Sequence, residues 1–281
     1  MRLVLYEGGR LGAVRGEEIV DLTDLVPVGD GRIDRMRLAI ERWSELEEDI
    51  AERISTQAAA VPLAEVSLSP PLPRPGKIVA APANYREHTA EMVDLVGEQQ
   101  IEQWVGFLKA PSSVIGPGDR IQIPIRGRRT DYEGELGVVV GHTARRVSEQ
   151  DALAYVFGYV PLLDITIRGD EDRSFRKSAD TFTPLGPAIV TADEVGEPDA
   201  LGLRLWSDGD LRQDATTADL VWSVRKLIAA YSAVMTLEPG DLIATGTPAG
   251  VGPISPGTAI RLTIDRVGTL EVSVEDPAEE T

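Results

Sequence analysis

Three observations predict an α+β chain dominated by β-structure. Short runs of alternating apolar character, bounded by glycine and charged residues, recur from the beginning of the sequence to its end. One long helical periodicity interrupts them early. A proline-rich stretch, Ser69-Pro70-Pro71-Leu72-Pro73-Arg74-Pro75, then separates a short leading segment from a longer, strand-rich one. The boundary is set there, giving a small N-terminal α/β unit over residues 1–70 and a larger unit over 71–281.

Within the first unit, residues 3–6, 11–14 and 19–22 read as strands between turns. Ile33, Met36, Ile40, Trp43, Leu46, Ile50 and Ile54 follow at spacings of three and four, which predicts one helix through all of them. In the second unit, residues 78–81 predict a short buried strand and 86–103 a helix. Strands are expected over 136–140, 155–163 and 188–190. Ser148-Glu149-Gln150-Asp151 resembles a capping box with Asp in place of Glu and opens a short helix. Asp208-Gly209 is a hairpin signal, and Thr217 is read as the cap of a helix running to Val234. Strands over 242–245, 260–264 and 270–274 close the chain before an acidic tail expected to fray.

Composition narrows the chemistry. The 281 residues include no cysteine, which excludes disulfides, thiolate metal sites, iron–sulfur clusters and a cysteine nucleophile. His88 and His142 are the only histidines, so a histidine-rich zinc or copper site is excluded too. Any metal must be held mainly by oxygen, which favours Mg²⁺, Mn²⁺ or Ca²⁺. The formal charge of −18 argues against nucleic acid as a partner. An anionic substrate would need local cations to hold it. No stretch approaches the roughly 20 apolar residues of a membrane helix. Met1-Arg2-Leu3-Val4-Leu5-Tyr6-Glu7 lacks a signal-peptide core, so a cytoplasmic address is expected.

The sharpest local feature is Asp131-Tyr132-Glu133-Gly134-Glu135-Leu136. Residues two apart on a strand share a face, so Glu133 and Glu135 would stand side by side. Paired carboxylates repel unless a cation neutralises them. Asp164 ends the apolar run Val160-Pro161-Leu162-Leu163, where an unpaired buried acid would be costly. Two readings fit: three carboxylates around one divalent ion, or the solvent face of an edge strand with Asp164 starting a turn.

Other candidates are less specific. In Asn84-Tyr85-Arg86-Glu87-His88-Thr89-Ala90-Glu91, a helix would put His88 and Glu91 on one side, as a water-activating pair or an ordinary exposed one. Lys177 precedes the turn-rich Asp180-Thr181-Phe182-Thr183-Pro184-Leu185-Gly186-Pro187 and could meet a carboxylate or oxyanion. Thr245-Gly246-Thr247-Pro248-Ala249-Gly250-Val251-Gly252 offers backbone N–H groups and hydroxyls to anions, but fits neither nucleotide-binding glycine spacing. Arg126, Arg128 and Arg129 read as loop residues, with screening of the carboxylates or contact with a subunit as the alternative. There is no G-x-S-x-G elbow and no H-E-x-x-H.

In order along the chain, these segments resemble the fumarylacetoacetate hydrolase superfamily. The matching set is Lys77-Ile78-Val79, Asn84-Tyr85, His88, Phe107-Leu108-Lys109 and Asp131 to Leu136. It continues through Gly158-Tyr159, Asp164-Ile165-Thr166, Lys177, Pro184 to Pro187, Pro239-Gly240-Asp241 and Thr245 to Gly252. The resemblance covers roughly residues 72–274. It implies a mixed β-sandwich roll behind a small N-terminal domain, usually as a homodimer. It implies Glu133, Glu135 and Asp164 as ligands of Mg²⁺ or Mn²⁺ and His88 with Glu91 as the water-activating dyad. Lys177 is implied as a catalytic group, and Arg168, Thr247, Tyr85 and Lys109 as substrate contacts. The implied reaction is hydrolytic cleavage of a carbon–carbon bond in a small 1,3-dioxo or 2-oxo acid, such as an acylpyruvate or fumarylpyruvate. Oxaloacetate-type decarboxylation and muconate-type isomerisation are the alternatives on the same site. Three positions depart from the pattern: Pro82 where glycine is usual, Ile167-Arg168-Gly169 for Ala-Arg-Asp, and Asp170-Glu171-Asp172 where a substrate-binding glutamine often falls. The added acids would disfavour a highly anionic substrate.

Overall fold

The computed structural model describes residues 1–28, 34–56, 60–87 and 106–275. From His88 onward the helix expected over 86–103, with His88 and Glu91, lies outside the described residues, as does the tail beyond Glu275. Of the described residues 37% are strand and 24% helical, which bears out the α+β, mostly β class.

Among the described residues the larger sheet has eleven strands. From one edge it runs Val61–Pro62, Glu18–Asp21, Arg10–Arg15, Arg2–Tyr6 and Ile189–Thr191. It continues through Val156–Leu163, Gly134–Val140, Leu242–Ala244, Ile78–Ala80 and Phe107–Lys109, with Leu68–Ser69 pairing beside Arg2–Tyr6. A five-stranded sheet has the order Asp210–Thr216, Gly202–Ser207, Ala259–Ile264, Gly268–Glu275 and Arg120–Gln122.

The strand patterns explain the layering. In Gly202–Ser207, Ala259–Ile264 and Gly268–Glu275 buried and exposed residues alternate, so each strand has one core face. Leu203, Leu205, Ile260, Leu262, Leu270 and Val272 pack there against Leu136, Val138, Val140, Tyr159 and Leu163 of the larger sheet. Gly134–Val140 and Val156–Leu163 are buried on both faces, which is why they read as continuous apolar runs rather than alternating ones. Their second face, carrying Val139, Val160 and Leu162, meets Met36, Ile40, Leu46 and Ile50 of the N-terminal helices in a second core. Trp43 stands edge-on to Phe157, centroids 4.9 Å apart. Ile50→Ala, in this fully buried position, should lower unfolding free energy by about 2–5 kcal/mol in urea titration.

Two helical expectations are corrected. The single periodicity over 33–54 folds as two helices, Arg35–Glu41 and Trp43–Thr56. Asp34 caps the first, accepting from the Arg37 N–H at 2.8 Å. Arg42 leaves helical geometry at φ −108°, ψ 17°, with its N–H still bonded to the end of the first helix. The spacing of the apolar stripe survives such a break, so periodicity alone could not detect it.

Thr217 does not cap the later helix. Thr216 caps a single turn at Thr217–Asp219, and Ser223 caps Val224–Val234, accepting from the Lys226 N–H at 3.3 Å. Between them the backbone is committed elsewhere. Leu220 bridges Tyr85, and the Val221 and Trp222 N–H groups donate to Asn84 O and Oδ1, both at 2.8 Å. Tertiary hydrogen bonds to Asn84 therefore outweigh helical continuation. Among the described residues no helix is long and apolar enough to cross a membrane.

Candidate metal centre

Register assembles the three carboxylates. Gly134–Val140 and Val156–Leu163 are antiparallel, with Gly134 opposite Leu163, and the Asp164 N–H donates to the Glu133 carbonyl at 2.8 Å. Asp164 is thus opposite Glu133 and shares its face of the sheet. Glu135, two residues on, shares that face as well. One ligand oxygen from each of Glu133, Glu135 and Asp164 lies within 4.8 Å of the others. All three side chains are buried, Glu135 and Asp164 at 1% exposure, so the solvent-face reading fails.

Gly134 is the residue between the glutamates for a steric reason. A Cβ there would lie 2.9 Å from Gln213 Oε1 and from a Leu205 methyl on the opposite face. Gly246 has a comparable role: its N–H donates to Glu135 Oε2 at 2.7 Å, at φ +98°, with an added Cβ 2.7 Å from the Asn84 Cβ. Asn84 is 3% exposed and its amide donates to the Trp222 and Thr245 carbonyls, both at 2.8 Å. Gly246→Ala should therefore cost about 1–3 kcal/mol by thermal or urea unfolding and weaken Mn²⁺ binding, since the Glu135 contact depends on that close approach.

Four cations pair with Glu133, Asp164 and a further acid, Asp131. Lys177 Nζ donates to Glu133 Oε2 at 2.7 Å and Asp164 Oδ2 at 2.5 Å. Lys109 Nζ, fully buried, donates to Asp164 Oδ1 at 2.5 Å and the Phe182 carbonyl at 2.8 Å. Arg168 spans Asp131 at 2.7 Å and Glu133 at 3.0 Å. Asp131, a fourth buried acid, is also held by Arg129 at 2.8 and 3.1 Å.

The charges feel this packing. Burial, then the Asp164 charge, raises the Glu135 carboxyl well above its ordinary range, against the pull of Lys177 and the Gly246 N–H. Burial would depress Lys177, but Asp164 and Glu133 outweigh it and hold the ammonium above its usual value. Lys109 goes the other way: burial lowers it despite Asp164. Glu135, kept ionised, would be an under-neutralised charge among oxygens. A hard divalent cation fits that donor set.

Tyr85 and Thr247 fall beside this centre, and His88 and Glu91 lie beyond the described residues. Tyr85 is 1% exposed, its hydroxyl raised by burial and the Glu135 charge. Thr247, 2% exposed, accepts from Gln213 at 2.8 Å. His142 is exposed in a turn. Of the departing acids, Glu171 is gripped by Arg128 at 2.5 and 2.8 Å, which pushes its carboxyl down to about 2. Asp172 caps the turn at Arg173–Arg176, accepting from the Ser174 N–H at 2.8 Å. Those two acids are therefore engaged by the chain itself.

Gln213, and Asn84 in its role as an anchor, carry no local sequence signal. Gln213 was hidden by a bulge. The Asp208-Gly209 turn pairs Ser207 with Asp210 and Trp206 with Leu211, and simple alternation then sets Arg212 opposite Leu205. The register slips by one, so Gln213 takes that place and faces inward.

Residues 77–275 match the family model for the fumarylacetoacetate (FAA) hydrolase C-terminal domain. Maleylpyruvate hydrolase of Aquipseudomonas alcaligenes is 38% identical, covering 98% of this chain and 99% of its own. Oxaloacetate tautomerase YisK of Bacillus subtilis is 40% identical over 74% of this chain and 73% of its own. The crystal structure of maleylpyruvate hydrolase from Sphingobium sp. SYK-6 in complex with manganese(II) ion and pyruvate is similar at TM-score 0.87 and 44% identity. It covers 98% of this chain and 99% of that one.

Proposed function

The chain belongs to the fumarylacetoacetate hydrolase family, and on that footing we propose that it is a Mn²⁺- or Mg²⁺-dependent hydrolase of acylpyruvates. The substrate is a small 1,3-dioxo acid with a 2-oxo acid end, of the maleylpyruvate or fumarylpyruvate type. The observation that carries this reading is the buried triad of Glu133, Glu135 and Asp164, with Lys177 bonded to two of its members.

In this reading the triad holds the metal, which supplies a Lewis acid for the 2-oxo acid end. Ca²⁺ fits the same oxygen donors and could replace it in a crystal. His88, oriented by Glu91, takes a proton from water as the water oxygen bonds to the distal carbonyl carbon. The carbon–carbon bond toward the pyruvyl end then breaks. Its electron pair leaves with that fragment, which is protonated to a 2-oxo acid. Lys177 contributes a fixed positive charge where negative charge develops. Arg168, Thr247, Tyr85 and Lys109 complete the binding site. A divalent ion in the triad, with Lys177, Lys109 and Arg168 beside it, would supply the local positive charge that lets a chain of charge −18 retain an anionic substrate.

Residues 1–70 serve as the small N-terminal unit and 71–281 as the catalytic one, a division supported by the family match starting at residue 77. The working protein is a cytoplasmic homodimer in this proposal, for which light scattering should return about twice the 30.3 kDa chain mass.

The tautomerase relative favours one other reading, isomerisation or decarboxylation on the same centre. Acylpyruvates, maleylpyruvate, fumarylpyruvate and oxaloacetate assayed with Mn²⁺, Mg²⁺ or EDTA separate the two. Metal-dependent loss of the diketone chromophore that His88→Ala abolishes is expected. Consumption of oxaloacetate alone, unaffected by His88→Ala, would replace the hydrolase reading.

A further inference from the structure

Gln213 is a polar side chain in an unexpected place. It is 1% exposed, on a strand whose residues Asp210, Leu211, Arg212 and Asp214 are all exposed. Burying an amide there is costly unless its hydrogen bonds are made. They are. Oε1 accepts from the Gly134 N–H at 3.0 Å, and Nε2 donates to Thr247 Oγ1 and the Pro248 carbonyl, both at 2.8 Å.

Two glycines make room for it. A Cβ at Gly134 would lie 2.9 Å from Gln213 Oε1. One at Gly250, where φ is +94°, would lie 2.0 Å from the Arg212 carbonyl oxygen and 3.4 Å from Gln213 Cγ. The bulge opposite Leu205 turns the side chain inward. One amide thereby bridges the residue between the two metal-site glutamates and the loop that carries Thr247.

The amide orientation is dictated by its backbone partners. The Gly134 N–H must face an acceptor and the Pro248 carbonyl must face a donor, so the oxygen and nitrogen cannot exchange places. Nε2 therefore donates to Thr247 Oγ1. The hydroxyl oxygen is engaged as an acceptor on that side, and its own proton is directed elsewhere.

We infer that Gln213 is a positioning residue for the reaction, fixing the Thr247 hydroxyl as a donor toward a substrate oxygen. The inference rests on the reading of Thr247 as a substrate contact. It also gives that contact a polarity: Thr247 selects an acceptor such as a carboxylate or keto oxygen.

Gln213→Glu tests this with almost no change of shape. Its carboxylate still accepts from Gly134, but it now draws the Thr247 proton toward itself and opposes the Pro248 carbonyl. Steady-state kinetics on an acylpyruvate at saturating Mn²⁺ would compare wild type, Gln213→Glu, Thr247→Val and the double variant. Each single substitution should raise KM about tenfold with kcat changed less than threefold, and the double variant should be no worse than Thr247→Val. Thr247→Ser should retain the wild-type KM. Gln213→Met, which loses every bond but keeps the volume, should repeat the KM effect if Gln213→Glu folds poorly. A wild-type KM in a Gln213 variant overturns the inference, as does a Gln213 effect that multiplies that of Thr247→Val. A wild-type KM in Thr247→Val instead removes the substrate-contact reading beneath it.

Discussion

Glu135→Gln should abolish turnover while leaving the protein folded. The substitution is isosteric, and the new amide oxygen can still accept from the Gly246 N–H now 2.7 Å from Glu135 Oε2. What changes is charge. Burial and the Asp164 charge already push the Glu135 carboxyl upward, so the metal-free protein loses a destabilising ion and should melt no lower than wild type. The metal, in contrast, loses one of three anionic ligands. Removing an outer-shell partner commonly costs tenfold to a hundredfold, so loss of a ligand should reduce kcat/KM on the order of a thousandfold. Calorimetric titration should show Mn²⁺ affinity falling in parallel. Activity within threefold of wild type would exclude Glu135 from the metal site.

Lys177→Met should separate binding of metal from chemistry. The Lys177 ammonium lies 2.7 Å from Glu133 and 2.5 Å from Asp164, and those charges hold its proton firmly. Without it, two buried carboxylates lose a counter-ion, so the metal-free protein should lose stability. Mn²⁺ should bind at least as tightly as before, because a neighbouring positive charge has gone. Turnover should nevertheless fall by a hundredfold to a thousandfold, the usual effect of deleting a donor at developing negative charge. A variant that binds Mn²⁺ weakly and recovers full kcat at high metal would make Lys177 a structural counter-ion and nothing more.

The strands were legible because their burial is simple. Gly134–Val140 and Val156–Leu163 are covered on both faces and appear as apolar runs, while Ala259–Ile264 alternates cleanly. Glu133 and Glu135 could be paired from the two-residue period of a strand. Asp164 could not be joined to them from spacing, since that requires the register Gly134 opposite Leu163. The ordered resemblance to a known family supplied the link instead.

The features that local sequence does not encode depend on contacts between distant segments. Arg42 interrupts a periodicity that it does not disturb. Residues 221 and 222 leave a helical pattern because Asn84, far off in sequence, takes their N–H groups. Gln213 was invisible because a one-residue bulge exchanges the inward and outward faces of its strand. Glu171 looked like added charge near the pocket, and Arg128, 43 residues earlier, neutralises it.

The central claim is that Glu133, Glu135 and Asp164 hold one divalent ion. It is tested most directly by anomalous diffraction at the manganese edge from crystals grown with Mn²⁺. The account predicts a single strong anomalous peak among the three carboxylates, within about 2.0–2.4 Å of an oxygen from each. No peak there, or a peak held by other residues, would contradict it.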